Sequence, residues 1–314
     1  MEVLKNLTIG VFMGGNSSER EISLLSGRGV IEALRSRGLH VEEVDLLTED
    51  RDEIQQIIEE KNIDVVFIAM HGKFGEDGQL QKILEEIGVP YTGSGPQGSL
   101  NAMDKIITRK ILQEHKILQP DFVYFNIKDK IFWPFDSCKA VIKPSSSGSS
   151  IGVKIVKSPQ EFFKVIEEVF KIDENVLVER FIEGKEITVG ILDNQVLPPI
   201  GISPKNEMFD FSSKYTPGRT TYEIPAKISK YLEDESKKIG LKVHQVLDLR
   251  HFSRIDMRIS PDNKIYVLEA NSIPGLTSTS LLPKAAKLIG LEYVDLCIKM
   301  LCLALEEYAS KKDS

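Results

Sequence analysis

Apolar residues fall into two alternating rhythms over the first hundred positions. Thr8 to Met13 is a nearly continuous apolar run and reads as a buried strand, followed by the turn Gly14-Gly15-Asn16-Ser17-Ser18. Ser18-x-x-Glu21 has the form of a capping box, and Ile22, Leu25, Ile31 and Leu34 then give a helical stripe that stops at Gly38. Val41 to Leu46 is a second strand, Asp52 to Glu60 a short helix, and Asp64 to Met70 a third strand, almost wholly apolar. Strands without polar alternation, separated by helices, predict a doubly wound parallel sheet covered on both faces.

After Met103 the rhythm changes. A helix from about Asp104 to Lys116 precedes strands at Lys139 to Lys143, Gly152 to Val156 and Val176 to Arg180, with a helix at Gln160 to Phe170 between the last two. Beyond Glu186 come strands at Glu186 to Leu192 and Ile265 to Ala270, a polar loop at 206–222, and helices near 227–247 and 284–309. This predicts three domains, 1–103, 104–185 and 186–314, the first α/β and the other two α+β. There is no internal repeat and no low-complexity segment.

Composition narrows the class. With 314 residues, 41% hydrophobic and 28% charged, the chain reads as soluble and globular. No apolar run approaches the roughly 20 residues that span a bilayer, and Met1 to Asn6 lacks a signal-peptide layout, so the expectation is a cytoplasmic protein without a membrane partner. A net charge of −7 argues against a nucleic-acid partner. Cys138, Cys297 and Cys302 have no metal spacing; the last two lie in an apolar helical pattern and read as small core residues.

The strongest chemical signal is Arg254-Ile255-Asp256 followed by Glu269-Ala270-Asn271. On a strand, Glu269 and Asn271 point to one face. With Asp256 on a neighbouring strand they make an oxygen set suited to a hard divalent cation, and an arginine beside magnesium is equipment for ATP phosphates. The bland alternative is a solvated strand end. Lys143 to Gly152, rich in Ser and Gly, can bring backbone N–H groups close to an anion, although a plain hairpin connection has the same composition. Val176 to Glu186 joins two apolar strands and could meet an adenine edge, with Glu179 and Glu186 toward a ribose, or be a solvated linker. His71 to Gly78 leaves the third strand where open α/β sheets gather ligands, as does Glu19 after the first; ordinary β–α turns look the same. The loop around Lys214 and Tyr215 has the character of a closing lid or a surface loop, and Gly275 to Leu281 offers backbone donors and hydroxyls as a carboxylate seat.

Singly these signals are weak; their order along the chain is specific. The chain resembles the ATP-grasp superfamily and, within it, the D-alanine–D-alanine ligases. The resemblance runs over essentially the whole chain, through Gly14 to Ser23, His71 to Gly78, Tyr91 to Gly95, Met103-Asp104-Lys105, the 143–152 loop, Lys214-Tyr215, Arg254-x-Asp256 and Glu269 to Gly275. It implies a three-domain ATP-grasp architecture with an N-terminal doubly wound parallel sheet and two α+β domains enclosing the nucleotide. It further implies ATP-dependent joining of two D-alanines for peptidoglycan precursor synthesis, in a homodimer.

By the same resemblance Asp256, Glu269 and Asn271 hold two magnesium (or manganese) ions. Lys105, Lys143 and Lys214 approach the ATP phosphates, Glu179, Arg180, Phe181 and Ile182 form the adenine linker, and Glu186 meets the ribose. Glu19 holds the ammonium of the first D-alanine, with His71 nearby. Glu19, Ser149 and Tyr215 tie the closing loop to that subsite, and Ser149 is also placed at the ATP. Arg254 and the Gly275 N–H face the oxyanion, and Ser280 and Leu281 seat the second carboxylate. Phe209, Phe211 and Phe181 stand where tyrosines and a tryptophan are common in the family, and His251-Phe252-Ser253 before Arg254 is less glycine-rich than usual there, with no functional account at this level. A depsipeptide or D-alanine–D-serine ligase is the rival within the superfamily, against which Tyr215 favours the dipeptide enzyme. A dinucleotide enzyme is disfavoured by the missing GxGxxG.

Overall fold

The computed structural model describes residues 2–136, 139–148, 150–204 and 220–312. After a short helix α1 (Glu2–Lys5), strands β1 (Thr8–Met13), β2 (His40–Asp45) and β3 (Val65–Ile68) form a parallel sheet in the order β2-β1-β3. β3 is buried at all four positions, whereas β2 at the edge alternates, which is why only β1 and β3 read as continuous apolar runs. Helices α2 (Arg20–Arg35) and α3 (Arg51–Glu60) are the crossovers. α2 packs close to β1: a Cβ on Gly27 would lie 2.4 Å from the sulfur of Met13.

The capping box at Ser18 does not form. The N-cap of α2 is Glu19, whose side chain makes no capping bond. The Ser17 hydroxyl instead accepts from the Glu19 N–H at 3.1 Å and donates to the His71 carbonyl at 2.8 Å, tying the turn to the exit of β3. Two helices that the pattern does not announce follow, α4 (Gln79–Ile87) and α5 (Pro96–Met103), before α6 (Lys105–Glu114), which Asp104 caps by accepting from the N–H groups of Ile106 and Ile107.

The middle of the chain is an antiparallel sheet of order β4-β7-β5-β6, from β4 (Phe122–Asn126), β5 (Ala140–Pro144), β6 (Lys154–Val156) and β7 (Asn175–Arg180). Helix α7 (Pro159–Phe170) packs on it over an aromatic core of Phe125, Trp133, Phe135 and Phe162. The third sheet has the path β11-β10-β8-β12-β13, made of β8 (Lys185–Leu192), β10 (Ile200–Pro204), β11 (Thr220–Glu223), β12 (Phe252–Ile259) and β13 (Ile265–Asn271), with the short β9 (Gln195–Val196) beside β8. Helix α8 (Lys230–Val246) covers its apolar face.

The helix expected near 284–309 is two. α9 (Leu281–Lys287) and α10 (Tyr293–Lys312) are separated by a turn in which Gly290 takes φ +81°, a conformation that ends helices and favours glycine. The break lets α10 run back over α2, so Leu296, Cys297, Met300 and Leu301 complete the core begun by β1 and β3. Burial pushes the Cys297 thiol up to about 12, as expected of an inert core residue, while Cys302 packs at the margin of the same core. Cys138 lies outside the described residues.

Candidate active site

Strand alternation builds the charged floor of the site. In β8 and β12, Ile187, Val189, Ile255 and Met257 face the core under α8, so Glu186, Thr188, Arg254, Asp256 and Arg258 share the opposite face. The register sets Asp256 beside Thr188 on one side and Glu269 on the other, with Arg254 opposite Asn271. A bulge follows Asp256.

Several of these polar groups bond one another. Arg254 grips Asp256 bidentately, Nε to Oδ1 and Nη2 to Oδ2 both at 2.9 Å. Thr188 Oγ1 donates to Oδ1 at 2.6 Å, and Asn271 Nδ2 donates to the Arg254 carbonyl at 3.2 Å and lies 3.3 Å from Oδ2. Asp256, Glu269 and Asn271 therefore present oxygen-bearing side chains on one face of two paired strands, a donor set that fits a hard divalent cation. No group of three or more His, Cys, Asp or Glu able to hold a metal occurs among the described residues; this set has two carboxylates and one amide.

A second ionic group joins the central sheet to this floor. Arg109 of α6 is fully buried; its Nε pairs with Glu179, and its Nη1 and Nη2 donate to the carbonyls of Val267 (2.9 Å) and Leu268 (2.6 Å) in β13. The other carboxylate oxygen of Glu179 holds Lys143 Nζ at 2.6 Å. Burial acts to raise the Glu179 carboxyl, but Arg109 and Lys143 together hold it below the usual carboxylate range. The side chain of Glu179 is thus committed to two cations. Glu186 likewise pairs with Arg258, which also donates to the Ile182 carbonyl at 3.1 Å, and Arg180 pairs with Asp121. Phe181 lies between the Lys139 ammonium, 3.7 Å from its centroid, and the Arg258 guanidinium at 5.2 Å.

The third component comes from the N-terminal sheet. Glu19 is 3% exposed and wedged between backbones: a Cβ would come within 2.5 Å of its Oε2 from Gly72 and within 2.3 Å from Gly148. Two glycines thus let the β3 exit and the 143–152 loop close on one carboxylate. His71 sits beside it, with Nε2 at 2.8 Å from the Ser26 hydroxyl and its N–H donating to Ser23 Oγ at 2.9 Å. Burial would push its imidazole pKa down; the hydrogen bond and charge of Glu76, with Glu19 and the Ile273 carbonyl, outweigh burial and raise it. Ser26 also receives the Leu276 N–H at 3.4 Å, linking α2 to the Gly275 turn.

These parts surround one cavity of about 290 Å³. Glu19 and His71 line it from the N-terminal sheet, Lys105, Arg109 and Gly148 from the central segment, and Arg254, Glu269, Asn271, Gly275, Ser280 and Leu281 from the C-terminal one. Lys105 Nζ donates to the Ser147 carbonyl at 2.6 Å, tying α6 to the lining residues Ser147 and Gly148. Lys143, Glu179 to Ile182, Glu186 and Asp256 are not among the lining residues; Lys143, Glu179, Arg180, Glu186 and Asp256 are held in the ion pairs above. Ser149, Lys214 and Tyr215, with Phe209 and Phe211, lie outside the described residues. Arg109, Thr188, Ser26 and Glu76 complete the site without having been singled out for roles in the sequence. Glu76 was within the His71 to Gly78 segment, and Thr188 shares the alternation of Glu186.

Comparison with known proteins agrees with this geometry. Residues 42–94 match the family model described as D-ala D-ala ligase N-terminus, and residues 110–302 the one described as D-ala D-ala ligase C-terminus. A D-alanine–D-alanine ligase of Syntrophotalea carbinolica is 42% identical, covering 95% of this chain and 96% of that protein. The enzyme of that name from Carboxydothermus hydrogenoformans is also 42% identical, over 96% and 99%. The crystal structure of D-alanine–D-alanine ligase from Bacillus anthracis, solved also in complex with ATP, superposes with a TM-score of 0.83 at 34% identity, over 97% of this chain and 99% of that one. The fold is the ATP-grasp architecture expected from the sequence, and the chain belongs to the D-alanine–D-alanine ligase family.

Proposed function

We propose that this chain joins two D-alanines into D-alanyl-D-alanine at the expense of ATP, for peptidoglycan precursor synthesis in the cytoplasm, and that it works as a homodimer of three-domain subunits divided near residues 103 and 185. The observation that carries the reading is the convergence on one cavity of an ammonium-binding acid (Glu19), a cationic oxyanion partner (Arg254), a phosphate-type lysine (Lys105) and a hydroxyl-lined seat (Thr277 to Ser280).

Chemistry fits these roles. A carboxylate is a poor electrophile toward an amine. Transfer of the γ-phosphoryl to the first D-alanine gives an acylphosphate, attack by the second amine gives a tetrahedral intermediate, and phosphate leaves, with ADP as the other product. Glu19, shielded from water between Gly72 and Gly148, anchors the first ammonium, and His71, held by Ser26 and Glu76, lies near the first substrate. Lys105 and Lys143 offset phosphate charge, and Lys214 does so from the closing loop. Ser149 and Tyr215 complete the link from that loop to Glu19. The residues from Glu179 to Ile182 meet adenine through backbone groups, and Glu186 lies toward the ribose. Arg254, oriented by Asp256 along one edge, turns its other N–H groups to the oxyanion together with the Gly275 N–H. Ser280 and Leu281 receive the second carboxylate. Asp256, Glu269 and Asn271 would hold two magnesium or manganese ions, which supply charge neutralisation to the phosphoryl oxygens.

The test is phosphate release with ATP, magnesium and D-alanine, with L-alanine and a D-alanine plus D-lactate mixture in parallel. Release with D-alanine and a dipeptide product supports the reading. No release, or a preference for the lactate mixture, refutes it.

A further inference from the structure

One cation beside the cavity has no role in the scheme above. Lys284 stands in α9, four residues after Ser280 and three after Leu281, both of which line the cavity. Positions three and four apart share a helix face, so Lys284 continues the cavity-side face by one turn. Its ammonium lies 4.4 Å from the ring centroid of Tyr222, and Tyr222 of β11 also lines the cavity. Lys284 is only partly exposed, and no carboxylate among the described residues pairs with it. Its neighbour Lys287, one turn further on, pairs with Glu292 instead. A half-buried ammonium that, among the described residues, meets a ring face and no carboxylate has lost hydration without gaining a counter-ion there, and burial lowers its pKa accordingly.

The adjoining groups lack what it offers. Thr277, Thr279 and Ser280 form a chain of hydroxyls, Thr277 Oγ1 to Ser280 Oγ at 2.8 Å and to Thr279 Oγ1 at 3.2 Å, which donates hydrogen bonds but no charge. Arg254 spends one edge of its guanidinium on Asp256. We infer that Lys284 is a specificity-determining residue for the acceptor: its ammonium, steered by the Tyr222 ring, supplies the countercharge for the carboxylate of the second amino acid, beside the hydroxyls that hydrogen-bond it. This rests on the proposed ligase function. The only charge that distinguishes an amino-acid acceptor from a neutral amine of the same shape is that carboxylate, so Lys284 selects the acceptor class.

The experiment is steady-state kinetics of Lys284→Met, Lys284→Gln and Lys284→Arg, with the Michaelis constants of the two D-alanines resolved and circular dichroism confirming the fold. Loss of a charge-assisted hydrogen bond raises the constant for the second D-alanine by about ten-fold or more in the Met and Gln variants. The Arg variant stays within about three-fold, and the constants for ATP and the first D-alanine do not move. Added salt weakens acceptor binding in the wild type and less so in the Met variant. Met and Gln variants within about two-fold of wild type, a loss shared equally by the Arg variant, or a change in the ATP constant overturns the inference. A wild-type chain that releases no phosphate with D-alanine overturns the ligase reading and this inference with it; an active wild type insensitive to Lys284 overturns the inference alone.

Discussion

Replacing Glu179 with glutamine removes one negative charge from a group that contains two buried cations. Breaking a buried ion pair by removing one partner costs roughly 3–5 kcal/mol, because the remaining charge is left buried and uncompensated. The site is deep enough for the full figure, since both Arg109 and Glu179 side chains are 2% exposed. For a chain this long a kilocalorie per mole corresponds to about 2 °C in Tm, so a fall of at least about 6 °C is expected. The chain has one tryptophan, Trp133, and it packs in the core of the sheet that carries Glu179, so its fluorescence reports the unit concerned. The pH dependence follows from the depressed carboxyl. Its stabilisation is present above the ordinary carboxyl value of about 4.3 and is lost as pH falls through the lower folded value, so the gap between wild type and variant narrows in acid. A double variant with Arg109→Met is destabilised less than the two single effects combined, because the groups share one network. A fall below about 2 °C, a gap independent of pH, or strict additivity would refute the account.

Three further outcomes follow from named contacts. Arg254→Ala depresses turnover strongly with little change in the ATP Michaelis constant, checked by coupled phosphate release; an equal loss in ATP affinity contradicts the oxyanion role. Gly148→Ala, whose Cβ would meet Glu19 Oε2 at 2.3 Å, displaces that carboxylate and raises the Michaelis constant for the first D-alanine more than that for ATP. Glu307→Gln lowers Tm at neutral pH. Burial acts to raise the Glu307 carboxyl, but His251, Lys311 and Arg250 pull it down to about 2, so its contribution holds above about 4.3 and vanishes as pH falls toward 2, where wild type and variant should melt together.

Legibility in the sequence depended on whether a feature was local. The Arg254–Asp256 and Glu269–Asn271 pairs were readable because a strand turns an i, i+2 spacing into one face. Arg109 was not: inside α6 it looks like a solvated helical charge, and its partners Glu179, Val267 and Leu268 lie 70, 158 and 159 residues away. α5 escaped notice because Gly98, Ser99 and Asn101 are poor helix formers; tertiary packing overrides propensity there, with Thr108 and Gln97 bonding Asn101 and the Asn101 amide reaching the Leu247 carbonyl. The single helix expected near 284–309 missed the Gly290 break because apolar residues continue through it.

His251-Phe252-Ser253 gains a physical account from packing, each residue serving a different neighbour. His251, at φ +56°, accepts the Gly93 N–H on Nδ1 at 3.1 Å and sets Nε2 2.7 Å from Glu307 of α10; Phe252 enters the core of the N-terminal sheet; Ser253 bonds His244 of α8 at 2.7 Å. The next residue is Arg254. The strand that carries Arg254 is therefore fixed, immediately before it, to the N-terminal sheet, to α10 and to α8 at once. The Arg254 guanidinium is in turn held by Asp256 along one edge, so in the proposed oxyanion role little rotational freedom would remain to be lost on binding. A glycine-rich lead into the same strand would leave that restraint to the ligand. On this argument the departure at 251–253 reinforces the strand that carries Arg254, and under the proposed function His251→Gly should lower turnover while leaving the ion pair of Arg254 and Asp256 in place.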